Sequence, residues 1–399
     1  MIVIIVILAI FTGLYMAWNI GANDVANSMS TAVGSNAITL RQALIIASIL
    51  NFLGAVLVGK HVTDTIQNKI VDVALIADHE LMLGFMAALL SAGIFVTLST
   101  WKELPVSTTH AVIGGIIGFG LIEGGMNMVK WGTVENIAAS WVISPIAGGV
   151  LAFIMFKVIA ATIFSSKEPG RMAKNTGPIF ITLTLFIIML SVFMKTKLGA
   201  MMGDFTVMEF VAISLGIASL GGIIGFFLLK RVKGKGYDLV ENLFRRLQVM
   251  TSCYIAFSHG ANDVANAVAP VAMVLMLAWK QIDAIYLLAI GGLGIAVGIL
   301  TWGYKVIKTV GGKITALTNT RGFSIDFSAA TVVLVASKLG LPISTTHTVV
   351  GAVIGVGLAR GLDAVDLSVI KKIVYSWLLT LPASAALSIL IYRGLIILF

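Results

Sequence analysis

The chain alternates long apolar stretches with short polar ones. A helix that crosses the hydrocarbon of a bilayer needs about 20 apolar residues. By that measure twelve stretches stand out, near residues 2–30, 40–59, 81–101, 104–121, 134–157, 178–196, 207–230, 247–279, 283–304, 324–340, 341–359 and 368–398. They are continuous rather than alternating with period two, which argues against the short strands of an outer-membrane barrel. The pattern predicts an all-α polytopic membrane protein. Composition supports this: 58% of the residues are hydrophobic and 11% charged, against about 25% charged in an average soluble domain. A net charge of +9 would suit a nucleic-acid binder. The Lys and Arg residues, however, sit between the apolar runs, as juxtamembrane positive charge does. The expected partner is therefore the lipid bilayer and no nucleic acid. The lone Cys253 rules out a disulfide within the chain and a cysteine-based metal cluster.

The chain repeats itself. Gly21-Ala22-Asn23-Asp24-Val25-Ala26-Asn27 recurs letter for letter as Gly260 to Asn266, and Pro105-Val106-Ser107-Thr108-Thr109-His110 recurs as Pro342-Ile343-Ser344-Thr345-Thr346-His347. Order and spacing are both kept, and Trp141 and Trp377, each followed shortly by proline (Pro145, Pro382), extend the match. This is an internal duplication. It divides the chain into a first repeat, 1–157, a linking part with two segments and a polar loop, 158–243, and a second repeat, 244–399. Five plus two segments precede the second repeat, an odd number, so the two five-segment repeats are expected to be inverted. The parity is unchanged if 81–101 with 104–121, and their counterparts, form re-entrant hairpins. Inverted repeats place a transporter's substrate site near the midplane, at their interface. Basic residues collect on alternate loops, most densely over Lys230 to Arg246. The positive-inside rule puts that loop in the cytoplasm and both termini outside.

Two signatures carry the chemistry. Asp24 is the one formally charged residue between Met1 and Leu40, and Asp263 the one between Leu247 and Trp279. A carboxylate at membrane depth costs about 2.5–3.5 kcal/mol on insertion scales, and this chain bears that cost twice at equivalent positions. Each Asp has Asn at −1 and +3 and Gly further back, a composition that competes for backbone hydrogen bonds and predicts a local helix break. Carboxylate, amide and carbonyl oxygens together form a hard site that suits ions such as sodium. The second signature places Pro and then Ser-Thr-Thr at the start of an uncharged apolar run. That is a helix start with a hydroxyl cap, whose free N–H groups and positive dipole end suit an oxyanion. Gly114, Gly118, Gly351 and Gly355 follow as small-residue packing faces, expected to let the two helix ends approach. His110 and His347 read as structural, hydrogen-bonded residues. Ser107 and His110 lie too close on one helix for a catalytic triad, and no nucleophile elbow surrounds the serine, so the chain is not read as an enzyme.

With these residues in view, the paired GANDVAN and P-[VI]-S-T-T-H signatures resemble the inorganic phosphate transporter (PiT) family of cation-coupled symporters, over essentially the whole chain outside 158–243. The resemblance implies alternating-access uptake of inorganic phosphate at the inner membrane. It also implies sodium as the coupling ion in place of any cofactor, a transport core set in a scaffold, and a homodimer. Asp24 and Asp263 would serve the coupling sodium ions, with Asn23, Asn27, Asn262 and Asn266 beside them. Ser107, Thr108, Thr109, Ser344, Thr345 and Thr346 would hold phosphate. Animal members carry a functional Glu where this chain has Asn51, and a second Glu where it has Asp326. The missing Glu leaves proton or metal-phosphate coupling as the alternative, and another tetrahedral oxyanion such as sulfate as a further one.

Overall fold

The computed structural model describes residues 1–194, 199, 201–203, 205–279, 283–310, 317–361 and 367–399. Residues 195 and 196, the end of the sixth predicted segment, lie outside them. The described residues fold into helices: α1 Ile2–Gly34, α2 Leu40–Val58, α3 Lys60–Asn68, α4 Asp78–Trp101, α5 Thr108–Gly124, α6 Trp131–Ile159, α7 Pro169–Phe193, α8 Val207–Lys230, α9 Gly236–Trp279, α10 Ala284–Trp302, α11 Tyr304–Val310, α12 Asn319–Lys338, α13 Thr345–Arg360 and α14 Leu367–Leu398. Each predicted segment coincides with one of them. Local signals set several of the starts. Thr39 with Gln42 and Thr206 with Glu209 form capping boxes before α2 and α8, each satisfying donors that a helix start leaves unpaired.

Ten helices among the described residues are long and apolar enough to cross a membrane, two fewer than the twelve segments. α13 is too short, at 16 residues. α12 is too polar, because Asn319, Arg321, Asp326 and Lys338 lie on it. The protein is nevertheless a multi-pass membrane protein. Large apolar side chains such as Phe11, Ile146, Ile179 and Phe227 cover its outside, where lipid replaces water, while polar residues are drawn inward.

The local break expected at the two aspartate signatures is absent. α1 runs through residues 21–27 and α9 through residues 260–266 without interruption. The glycines serve close approach instead: a Cβ on Gly21 would collide with the Ile295 carbonyl, and one on Gly260 with the backbone of Asn51. The asparagine side chains reach sideways to neighbouring segments and leave the helix backbone intact. The broken helices lie elsewhere, at the loops between α4 and α5 and between α12 and α13. Each loop holds a left-handed residue, Glu103 at φ 56° and Gly340 at φ 69°. Each then ends on a capping serine of matching backbone, Ser107 (φ −88°, ψ 110°) and Ser344 (φ −88°, ψ 112°).

Packing crosses between the two halves. α1 lies against α10 and α9 against α2, while α5 lies on α14 and α13 on α6. The glycine faces of α5 and α13 serve these last two contacts and not each other. Gly114 and Gly118 meet the Leu381 and Ala385 carbonyls, and Gly351 and Gly355 meet those of Pro145 and Gly149.

Candidate functional site

α1 and α9 pack together and bring the two signatures face to face. Asp24 and Asp263 are each 1% exposed. One ligand atom from each, together with one from His259, all lie within 4.8 Å of one another. The loops of the two hairpins close on this pair. Thr108 Oγ1 donates to Asp24 Oδ2 (2.7 Å), and Thr345 Oγ1 donates to Asp263 Oδ2 (2.9 Å). A hydrogen bond to a charged acceptor contributes about 1.5–3 kcal/mol net, so each threonine anchors its hairpin to an acid.

The asparagines complete the arrangement. Asn23 Nδ2 donates to Thr100 Oγ1 (2.8 Å) and to the Leu104 carbonyl (3.2 Å). Its equivalent, Asn262, donates to Ser337 Oγ (3.0 Å) and the Leu341 carbonyl (3.2 Å). The other pair reaches across: Asn27 Nδ2 donates to Thr346 Oγ1 (2.9 Å) and Asn266 Nδ2 to Thr109 Oγ1 (3.0 Å). The helix ends also meet each other directly, with Thr109 Oγ1 donating to the Ile343 carbonyl (3.1 Å) and Thr346 Oγ1 to the Val106 carbonyl (3.2 Å). Ser107 and Ser344 cap their helices by accepting from the backbone N–H of His110 and His347 (3.2 Å each). All twelve residues expected from the sequence therefore gather in one buried cluster. The hydroxyls, expected to offer themselves to an anion, are engaged with protein groups. In the first turns of α5 and α13 the N–H groups of His110 and His347 go to the capping serines, and helix geometry leaves the earlier ones without intrahelical partners.

Four buried oxygens in this cluster have no hydrogen-bond partner: Asp24 Oδ1, Asp263 Oδ1, Asn262 Oδ1 and Asn266 Oδ1. Buried polar atoms are nearly always satisfied. Two carboxylate and two amide oxygens are donors that suit a hard cation, and the ligand atoms that converge within 4.8 Å come from the two acids and the His259 imidazole.

One residue of the cluster escaped the sequence reading. His259, buried on α9 one turn before Asp263, places Nε2 2.8 Å from Asp263 Oδ2 and 3.8 Å from Asp24 Oδ2, while its Nδ1 faces Asn51 Oδ1. Asn51 Nδ2 donates to the Ala47 carbonyl (2.8 Å), which leaves its oxygen turned to the imidazole. The signal available was a polar residue next to the duplicated motif, where the first copy has Ile20. Asp326 belongs to a different polar nest, accepting from Thr31 Oγ1 (2.7 Å) and Ser252 Oγ (2.6 Å), two turns further along α1 than Asp24. The nearest lysines in sequence do not enter the cluster: Lys102 is exposed, and Lys338 Nζ donates to the Met194 carbonyl. His110 and His347 lie beside it in an aromatic stack. Their rings are 4.5 Å apart, with Trp141 at 3.7 Å from His110 and Trp377 at 3.5 Å from His347.

A bundle of membrane-length helices around a buried core of paired acids, amides and helix starts is the build of a polytopic membrane transporter. Comparison with known proteins agrees. The model of the phosphate transporter family matches residues 20–388, and the chain belongs to that family. A Pyrococcus furiosus protein named "Putative phosphate permease" is 47% identical over 408 residues, spanning 99% of this chain and 97% of that one. "Inorganic phosphate transporter 2-1, chloroplastic" of Arabidopsis thaliana is 40% identical, over 95% of this chain and 70% of that one. The solved structure titled "The sodium-dependent phosphate transporter" superposes with a TM-score of 0.94 at 46% identity, covering 99% of this chain and 100% of the other.

Proposed function

We propose that this chain is a sodium-coupled symporter of inorganic phosphate working by alternating access at the inner membrane. The observation that carries the reading is the set of four unpartnered buried oxygens from α9 and α1 beside the starts of α5 and α13. Sodium ions bind among Asp24, Asp263, Asn262 and Asn266, with Asn23 and Asn27 completing the shell. Phosphate then docks against the first-turn N–H groups and hydroxyls of Ser107, Thr108, Thr109, Ser344, Thr345 and Thr346. Charge requires this order. Two carboxylates and an anion of one to two negative charges cannot share a dry site, and no Lys or Arg enters the contacts described above. An interior-negative membrane also opposes anion entry by about 2.3 kcal/mol per charge per 100 mV, which accompanying cations reverse.

The division into repeats 1–157 and 244–399 around a linking part 158–243, their inverted orientation, both termini outside, cytoplasmic basic loops and a homodimer complete the proposal. The exchanged packing of α1 on α10 and α9 on α2 supports a core that moves as one unit. His259 favours a second reading, proton or metal-phosphate coupling, because an imidazole already stands where a cation binds. Radiolabelled phosphate uptake into proteoliposomes at clamped pH separates the two. Stimulation by sodium and not by choline supports sodium coupling; uptake driven by a pH gradient in choline supports the second reading and refutes the first.

A further inference from the structure

α7 and α8 stand on the outside of the bundle as an antiparallel hairpin packed on each other. Between them opens a cavity of about 680 Å³ whose walls include Pro178, Leu183, Phe186, Leu215, Ile223 and Phe227. The lining is apolar and several of its side chains are exposed, Ile223 at 56% and Phe227 at 59%. On α8 the lining runs from Leu215 to Phe227, about 18 Å at 1.5 Å per residue. The groove is a slot along the axes of α7 and α8, and it ends where the basic residues begin.

At that end the chain concentrates positive charge from two segments. Lys167, Arg171 and Lys174 lie at the start of α7; Lys230, Arg231, Lys233 and Lys235 lie at the end of α8 and just after it. The structure brings Lys174 and Lys230 together. Lys174 Nζ donates to the Lys230 carbonyl (3.2 Å), and Lys230 Nζ stands 4.1 Å above the centre of the Phe226 ring, itself part of the groove wall. Of the neighbouring acids, one offsets a cluster member and another is engaged away from it. Glu168 pairs with Arg171 at 3.3 Å, and Glu241 accepts from the backbone N–H of Asn319 (2.8 Å) and from Thr320 Oγ1 (2.7 Å).

We propose that this groove binds an anionic diacyl phospholipid, one acyl chain in the slot between α7 and α8 and the phosphate head against Lys174, Lys230 and Arg231. Basic pockets between membrane helices are the recognised setting for anionic headgroups. Charge complementarity also selects the occupant over a second copy of the chain. A two-fold interface is self-complementary, and two copies joined through this face would set the same cationic ends side by side at the same membrane level.

The full-length protein, purified in mild detergent, is incubated with dioleoyl phosphatidylglycerol or dioleoyl phosphatidylcholine and examined by native mass spectrometry. Phosphatidylglycerol is expected to be retained and phosphatidylcholine not. Each basic residue near an anionic head is worth roughly fivefold in affinity. The K174Q/K230Q/R231Q variant should therefore weaken phosphatidylglycerol retention by about a hundredfold, while K102Q/R393Q, away from the groove, leaves it intact. Ser219→Phe, which fills the slot without touching the charges, should also release the lipid. Equal retention of both lipids overturns the proposal, as does equal loss in the two charge variants. Displacement of the lipid by excess inorganic phosphate, or a lipid-free dimer that Ser219→Phe dissociates, overturns it as well.

Discussion

Replacing Asp24 by Asn separates the charge of the site from its shape. Asn is close to isosteric and keeps an oxygen that can accept from Thr108 Oγ1, now at 2.7 Å from the carboxylate, so the hairpin stays anchored by a neutral bond worth about 1 kcal/mol less. The charge is lost. A unit charge about 4 Å from a bound sodium contributes about 4 kcal/mol at the effective dielectric of a partly polar site, or nearly three decades of affinity at 1.4 kcal/mol per decade. Without sodium the effect on stability is opposite in sign: the two acids offer atoms within 4.8 Å of each other, and neutralising one relieves their repulsion. The expected result is therefore a split. In proteoliposomes the sodium concentration for half-maximal phosphate uptake rises about a hundredfold or more. In detergent with choline, Asp24→Asn unfolds at or above the wild-type temperature, and the rise that sodium gives the wild type is lost. A shift in sodium dependence below tenfold, or a variant that melts well below wild type in choline, refutes the assignment of Asp24 as a cation ligand.

Three further outcomes follow from the same contacts. Asp263→Asn should be less stable than Asp24→Asn in sodium-free thermal unfolding, by about 1–2 kcal/mol, because it also disturbs the 2.8 Å approach of His259 Nε2. Thr108→Val and Thr345→Val, which keep volume and remove the donor to an acid, should each cost about 1.5–3 kcal/mol and depress uptake, whereas Thr→Ser should retain most of both. Gly260→Ala pushes a methyl group into the backbone of Asn51 and should lower stability by about 1–3 kcal/mol, seen as an earlier melt with unchanged sodium dependence in the protein that remains folded.

Much of this architecture is legible in the sequence because a bilayer imposes strong local rules. Continuous apolar runs mark the helices, and a carboxylate inside such a run is rare enough to mark the site. The proline before each Ser-Thr-Thr locates the helix starts, since Pro105 and Pro342 sit in non-helical loops that Ser107 and Ser344 close. Glycine is ambiguous in the same text. Gly21 reads equally as a breaker or as a place where helices touch, and only the position of Ile295 decides for contact. The glycines of α5 and α13 mislead in a related way: their small faces are real, but which partner they meet is a property of the packing. Asp326 is legible as a buried acid, while its donors, Thr31 and Ser252, come from different helices.

His259 shows why the duplication could not reveal the whole site. Reading by repeat finds what the two copies share, and three kinds of contact made by shared residues recur: acid with threonine, asparagine with hairpin carbonyl, asparagine with the opposite helix start. The residue before each glycine differs, Ile20 in one copy and His259 in the other. One imidazole thus serves a pair of acids, 2.8 Å from Asp263 and 3.8 Å from Asp24, with its other nitrogen turned to Asn51 of the first half. A ring so placed cannot treat the acids alike. Asp263 has a permanent neighbour that competes with any cation for its Oδ2, and Asp24 has a weaker one. If the acids hold cations as proposed, two positions made equal by duplication become unequal in affinity through one unshared side chain, and the position at Asp24 should fill before the one at Asp263.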